Sequence, residues 1–129
     1  MIIMREEIKN WWEQALSDLH TSEVNLKEEI YYASAFFSQQ AAEKALKAYV
    51  LFKEKESAQS HSLVFLAKKL NAPKNIFGAA ARLNPQYIIT RYPDAAGGIP
   101  MQMYTKEMAE ELLNASKEII EWTRKSLQL

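Results

Sequence analysis

Apolar residues return every three or four positions along most of this chain. Ile8, Trp12, Ala15, Leu19, Ser22 and Leu26 step by 4, 3, 4, 3 and 4, which stripes one face of a helix. Ala33, Phe37, Gln40 and Lys44 carry the step onward. There the apolar residues spread around the cylinder, through Tyr32, Phe36, Ala41, Ala42, Ala45, Leu46, Ala48, Tyr49, Val50 and Phe52. A helix apolar on most sides sits among several neighbours. No Gly or Pro interrupts residues 1–72. As one rod, residues 5–56 would reach about 78 Å, far more than a compact chain of this size, with a radius of gyration near 14 Å, can contain. The segment must fold back or pair with another chain along its length. The charged Lys27-Glu28-Glu29 run is the expected turn, although the periodicity runs straight through it.

The later elements carry clearer punctuation. Ser60 is placed to cap a helix with apolar positions Leu63, Leu66, Ala67 and Leu70, stopped by Asn71 and Pro73. Ile76, Phe77, Ala80, Ala81 and Leu83 make a short helix ended by Asn84-Pro85. Gln86 to Tyr92 reads either as a further helical turn or as an extended piece. Pro93 to Met103, with Gly97-Gly98 and two prolines, reads as the one long loop. Thr105 caps a last helix striped by Met108, Leu112, Ala115, Ile119 and Trp122, with Glu107 near its positive end. About five helices and no strand predict an all-α, antiparallel up-and-down helical bundle.

Length fits a single domain over residues 1–129. The absence of cysteine excludes disulfides, zinc–thiolate sites, Fe–S clusters and thiol nucleophiles. Lys+Arg and Asp+Glu are 16 each, so any nucleic-acid contact must come from a local patch rather than bulk charge. The longest uncharged stretch, Ile30 to Ala42, falls short of the roughly 18 residues of a membrane span. Met1 to Met4 is apolar but stops at Arg5, too short for a secretory signal. The expected compartment is the cytoplasm, with no membrane partner.

Much chemistry can be struck off. Neither His20 nor His61 follows a glutamate by three positions, so the paired Glu-x-x-His ligands of a di-iron bundle are missing. His-Glu-x-x-His, Gly-x-Gly-x-x-Gly, the Walker lysine loop and Gly-x-Ser-x-Gly are also absent. Neither a metal nor a cofactor is expected.

Two segments stand out. One is Phe36-Phe37-Ser38-Gln39-Gln40-Ala41-Ala42-Glu43-Lys44-Ala45-Leu46-Lys47-Ala48, whose alanines allow close helix approach and whose Glu43 and Lys47 can pair at i, i+4. The other is Thr90-Arg91-Tyr92-Pro93-Asp94, which opens the glycine loop. Taken along the chain with Trp12-x-x-Ala15-x-x-Asp18-Leu19 and His61-Ser62-Leu63, over residues 6 to 127, they resemble the HEPN family, the "higher eukaryotes and prokaryotes nucleotide-binding" domains. The resemblance implies a bundle of two long and two or three shorter helices that commonly dimerises. It implies work beside a small nucleotidyltransferase in many prokaryotic members. In others it implies metal-independent ribonuclease activity, often toxic, through an Arg-x(4–6)-His motif. This sequence departs from that motif: the spacing from Arg91 lands on Ala96, Gly97 and Gly98, none of which can shuttle a proton.

The residues then carry competing readings. Arg91 suits phosphate oxygens, with Tyr92 and Asp94 beside it, or it bonds local carbonyls or Asp94. Lys44 and Lys47 line a phosphate-facing surface or form salt bridges on a helix face. Gln40 and Glu43 belong to a helix seam or dimer seam more readily than to a base edge. His61 is a helix-start residue or a site residue, and Tyr104 stacks on a ligand or packs on the last helix. Trp11, Trp12 and Trp122 are anchors before they are stacking platforms. The sequence-level expectation is a non-catalytic HEPN module. It would bind a nucleotide or RNA phosphate, or a partner nucleotidyltransferase, where Arg91, Tyr92 and Asp94 meet the second and third helices near Lys44, Lys47 and His61. The alternatives are a ribonuclease with non-standard residues and a helical interaction protein or antitoxin without ligand. A homodimer is expected because the second helix needs partners on several faces.

Overall fold

The structure, a computed structural model, describes residues 2–129, with side chains from Arg5 onward. It is helical throughout, with no strand among the described residues. The elements are α1 (Ile2–Lys27), α2 (Tyr31–Glu54), α3 (Leu63–Lys69), α4 (Lys74–Leu83), α5 (Gln86–Ile89), α6 (Pro93–Ala96), α7 (Pro100–Met103) and α8 (Lys106–Leu127). No helix among the described residues is long and apolar enough to cross a membrane.

The long N-terminal rod breaks where its charge run sits. Glu29 takes a left-handed φ of 63°. The Glu29 amide donates to the Leu26 carbonyl at 3.1 Å, and that of Ile30 to Asn25 at 2.8 Å. This pairing satisfies the last carbonyls of α1 and reverses the chain. α1 and α2 thus form an antiparallel hairpin. The starts of α2 and α8 share one surface hollow with the end of α1, through Tyr31, Lys106 and Lys27. Their ends, Phe52 and Leu127, share another with Ile8 near the start of α1. α8 therefore runs alongside α2 in the same direction, and α3 to α7 carry the chain back between them.

α2 is the middle of the molecule. One of its faces sends Ala41, Ala45 and Ala48 into a cluster with Trp12 and Ala15 of α1 and Ile120 and Leu127 of α8. The other sends Ala35, Ala42, Leu46 and Val50 against Leu63, Leu66, Ile76, Leu83 and Ile119. Its neighbours within the chain are α1, α8, α3, α4, α5 and α7. So most of its apolar girth is covered within the chain, although Phe52 near its end stays exposed. Near the hairpin turn, Ser22 is buried with Ser34 and Ser38. Its hydroxyl lies 2.8 Å from the Ser34 carbonyl and 2.8 Å from Ser38 Oγ, so polar atoms inside the seam are paired.

Three local details differ from the sequence reading. The cap of α3 is Ser62, whose Oγ accepts from the Phe65 amide at 3.1 Å; Ser60 instead accepts from the Ser62 amide, just ahead of the helix. Met108 faces solvent, because α8 wedges between both clusters and buries Ala109, Leu113 and Ser116 beside Leu112 and Ile119. The stretch 93–103 is not one open loop. Pro93 and Pro100 each start a helical turn, and Gly97, at φ 74°, makes the left-handed corner between them. Gln86 to Ile89 resolves as a helical turn, and Thr105 caps α8 by accepting from Met108.

Candidate functional site

The site is assembled from α2, the approach to α3, and the α5–α6 corner. Glu43 points out of the middle of α2, yet its side chain is only 4 % exposed. Its Oε2 meets Lys47 Nζ at 3.2 Å and His61 Nδ1 at 3.0 Å, while its Oε1 accepts from Gln39 Nε2 at 3.0 Å. Gln40 Nε2 in turn donates to Gln39 Oε1 at 2.7 Å. A carboxylate facing Nδ1 fixes the imidazole and leaves Nε2 as the uncommitted ring nitrogen. His61 itself is well exposed.

Tyr87 joins this network to the guanidinium. Its ring stacks on His61, with centroids 4.5 Å apart and planes 14° apart. The Arg91 guanidinium carbon lies 4.3 Å from the same ring centroid, 5.1 Å from that of Tyr92 and 5.6 Å from that of Phe36. Arg91 Nε donates to the Tyr87 carbonyl at 2.8 Å, one helical turn back. This aims the fork and leaves both terminal nitrogens without a partner among the described residues. Arg91 is exposed, and no carboxylate among those residues stands within ion-pair distance of it. An imidazole held by a carboxylate and an unneutralised arginine thus sit against one phenol ring, though they are distant in sequence.

The other expected residues divide. Tyr92 and Asp94 are exposed beside Arg91. Lys44 turns the opposite way along α2 and pairs with buried Asp18 of α1, which Gln14 also reaches at 2.9 Å. Lys47 is buried by Glu43 and Trp11, with its ammonium 5.3 Å from the indole centroid. Both ammoniums are thus paired with carboxylates, Lys44 with Asp18 and Lys47 with the same Glu43 oxygen that meets His61. Gln40 and Glu43 do occupy a seam, but it is one within the chain. Tyr104 is buried, and its hydroxyl donates to Gln86 Oε1, so its ring has no face left for a ligand.

Burial pushes the Tyr104 phenol up to about 12. The neutral form is the one the fold favours, so the stability it lends is complete below pH 10 and is lost as pH climbs toward 12. In thermal melts, the wild-type Tm should fall more steeply over that range than that of Tyr104→Phe; parallel curves would refute the assignment.

Tyr87 and Gln39 went unmarked in the sequence. Tyr87 lies in a segment whose type the pattern left open, and only the fold sets its ring between an imidazole and a guanidinium. Gln39 had a signal, being adjacent to Gln40 on the face that turns inward.

The model of the family described as HEPN domain matches residues 8–126. A Methanocaldococcus jannaschii protein named "Putative toxin MJ1304" is 29% identical over 121 residues, which cover 84% of this chain and 80% of that protein. Among solved structures, TT1696 from Thermus thermophilus is similar, with a TM-score of 0.86 and 33% identity, covering 92% of this chain and 97% of that one. ST0689, described as an archaeal HEPN homologue, has a TM-score of 0.81 and 34% identity, covering 92% and 95%. A HEPN domain protein from Thermotoga maritima has a TM-score of 0.74 and 27% identity, covering 92% and 98%.

Proposed function

The chain belongs to the HEPN domain family, and on that premise we propose that it binds the phosphate of a nucleotide or of RNA at Arg91. The observation that carries this reading is the exposed guanidinium, aimed by the Tyr87 carbonyl and with no carboxylate within ion-pair distance among the described residues. A planar fork in that state suits phosphate oxygens. Tyr92 and Phe36 add aromatic surface on which an unpaired base can stack. Arg91→Ala should weaken binding of a short single-stranded RNA by about 1–3 kcal/mol, the scale of a charge-assisted hydrogen bond. Calorimetry at fixed salt measures it; equal affinity in the two proteins would sink the reading.

A second reading draws on the Glu43–His61 contact. An imidazole with Nδ1 held by a carboxylate can take the 2′-hydroxyl proton at Nε2 as that oxygen attacks the neighbouring phosphorus, and return a proton to the departing 5′-oxygen, while Arg91 faces the charge that builds on the phosphoryl oxygens. The missing Arg-x(4–6)-His spacing would then be replaced by proximity through Tyr87, and the relative named as a toxin is in keeping with this. RNA cleavage in the presence of a chelator, lost in both His61→Ala and Arg91→Ala, separates enzyme from binding module.

The proposed homodimer, or docking of a small nucleotidyltransferase, finds support in a different place from the one expected. Ile88, Tyr92, Ile99, Met101 and Met103 are all exposed along residues 88–103, the stretch that holds the Arg91 corner.

A further inference from the structure

The charges of this chain are sorted by element. From Ser57 to Pro93, 37 residues hold five Lys and Arg and none of the 16 carboxylates. That segment contains α3, α4 and α5. Two of its five cations are met from neighbouring elements: Lys69 by Glu54 of α2 at 3.0 Å, and Arg82 by Glu118 of α8 at 4.0 Å. Lys68 and Lys74 are exposed and, like Arg91, have no carboxylate within ion-pair distance among the described residues. The α3–α4 hairpin sets these two beyond the Arg91 corner. Asn84, at the end of α4, accepts the Leu63 amide at 2.7 Å and shares a hollow with His61 and Tyr87, so this end of the hairpin adjoins the site. Phe77 lies two turns before Asn84, on the flank of α4 that turns toward α3. Asn75 and Arg82 lie on the opposite flank and turn to Glu118. Phe77 and, on α3, Phe65 are both exposed. The far end of the hairpin is reached after the seven residues of α3, about 10 Å. There Lys68 and Lys74 flank the turn between the two helices.

Cations spaced along one surface match a chain of phosphates, and exposed aromatic rings among them give unpaired bases faces to stack on. A single phosphate cannot reach both ends of the hairpin, so the open charge at its far end is superfluous to a mononucleotide. We infer that the outer surface of α3 and α4 is a track for single-stranded RNA, leading from the phosphate at Arg91 to Lys68 and Lys74. It rests on the phosphate reading above and makes the ligand a polynucleotide rather than a nucleotide.

The test is the salt dependence of binding by the full chain, with an eight-nucleotide oligouridylate and uridine 5′-monophosphate as ligands. Each phosphate neutralised on a single strand adds about −0.7 to the slope of log K against log salt. The octamer is expected to give a slope of about −2 through Arg91, Lys68 and Lys74, and about −0.7 in Lys68→Ala/Lys74→Ala. The mononucleotide is too short to leave Arg91 and reports that site separately. A slope of about −0.7 for the octamer in the unaltered protein, or one that the double variant does not flatten, would overturn the track. If Arg91→Ala still weakens the mononucleotide, the phosphate site stands in either case. Mononucleotide and octamer affinities both unmoved by Arg91→Ala would overturn the phosphate reading and the track with it. Capture on vesicles of phosphatidylserine and phosphatidylcholine without octamer binding would assign the lysines to a lipid surface and overturn the track. The slope in the unaltered protein decides the matter even if the double variant fails to fold.

Discussion

Glu43→Ala is expected to lower the unfolding free energy by about 3–5 kcal/mol, the range for stranding one member of a buried ion pair. The side chains of Glu43 and Lys47 are 4 % and 10 % exposed, so water cannot easily take over for the missing carboxylate. Lys47 would keep only the Trp11 ring, and Gln39 and His61 would each lose an acceptor. Much of the loss is the penalty of an unpaired ammonium rather than the net worth of the pair. The double variant Glu43→Leu/Lys47→Met should therefore recover most of it. Urea titration of the three proteins measures the pattern. A single variant losing under about 1 kcal/mol would mean that solvent reaches the ammonium after all.

Leu46→Ala should cost about 2–5 kcal/mol by another route. Leu46 is fully buried one turn along α2 from Glu43, on the face that meets Leu63, Leu66, Ile76, Leu83 and Ile119. Truncation removes transfer energy and leaves a void that α3, α4 and α8 share, none of which can close it without moving the others. Met101→Ala, at a residue 67 % exposed, is the control and should stay within about 0.5 kcal/mol. Thermal or denaturant melts separate them; a Leu46 variant as stable as the control would deny that α2 is the shared wall of the core.

Local rules made the helices readable, because each rule uses neighbours in the chain. The 3–4 step located α1, α2 and α8. Thr105 announced its helix, and Glu43 and Lys47 sat at pairing distance on one face. The Lys27–Glu29 turn was legible only from length and charge, since the left-handed residue is Glu29 rather than a glycine. The Arg91 corner was legible as a polar exit from a helix. What the pattern could not carry was its company. A spacing motif assumes that both partners ride one element, whereas here the imidazole comes from ahead of α3 and the guanidinium from after α5. Nor could residue type show that the ammonium of Lys44 belongs to Asp18, or that Tyr104 spends its hydroxyl on Gln86. These are choices made by helix orientation, and they decide which cations remain for a ligand.

The two halves of the site hang from elements of very different length. Glu43 is fixed to a 24-residue helix enclosed on most sides, whereas Arg91 follows a four-residue turn. Backbone opening is rarest where buried contacts are dense and commonest where a short element leans on few of them. Amide protons along α2 would thus wait for the whole chain to come apart before exchanging, and those from Gln86 to Met103 would not. A molecule gripped between the halves would pay most of its ordering entropy on the Arg91 side, where the short turns lie.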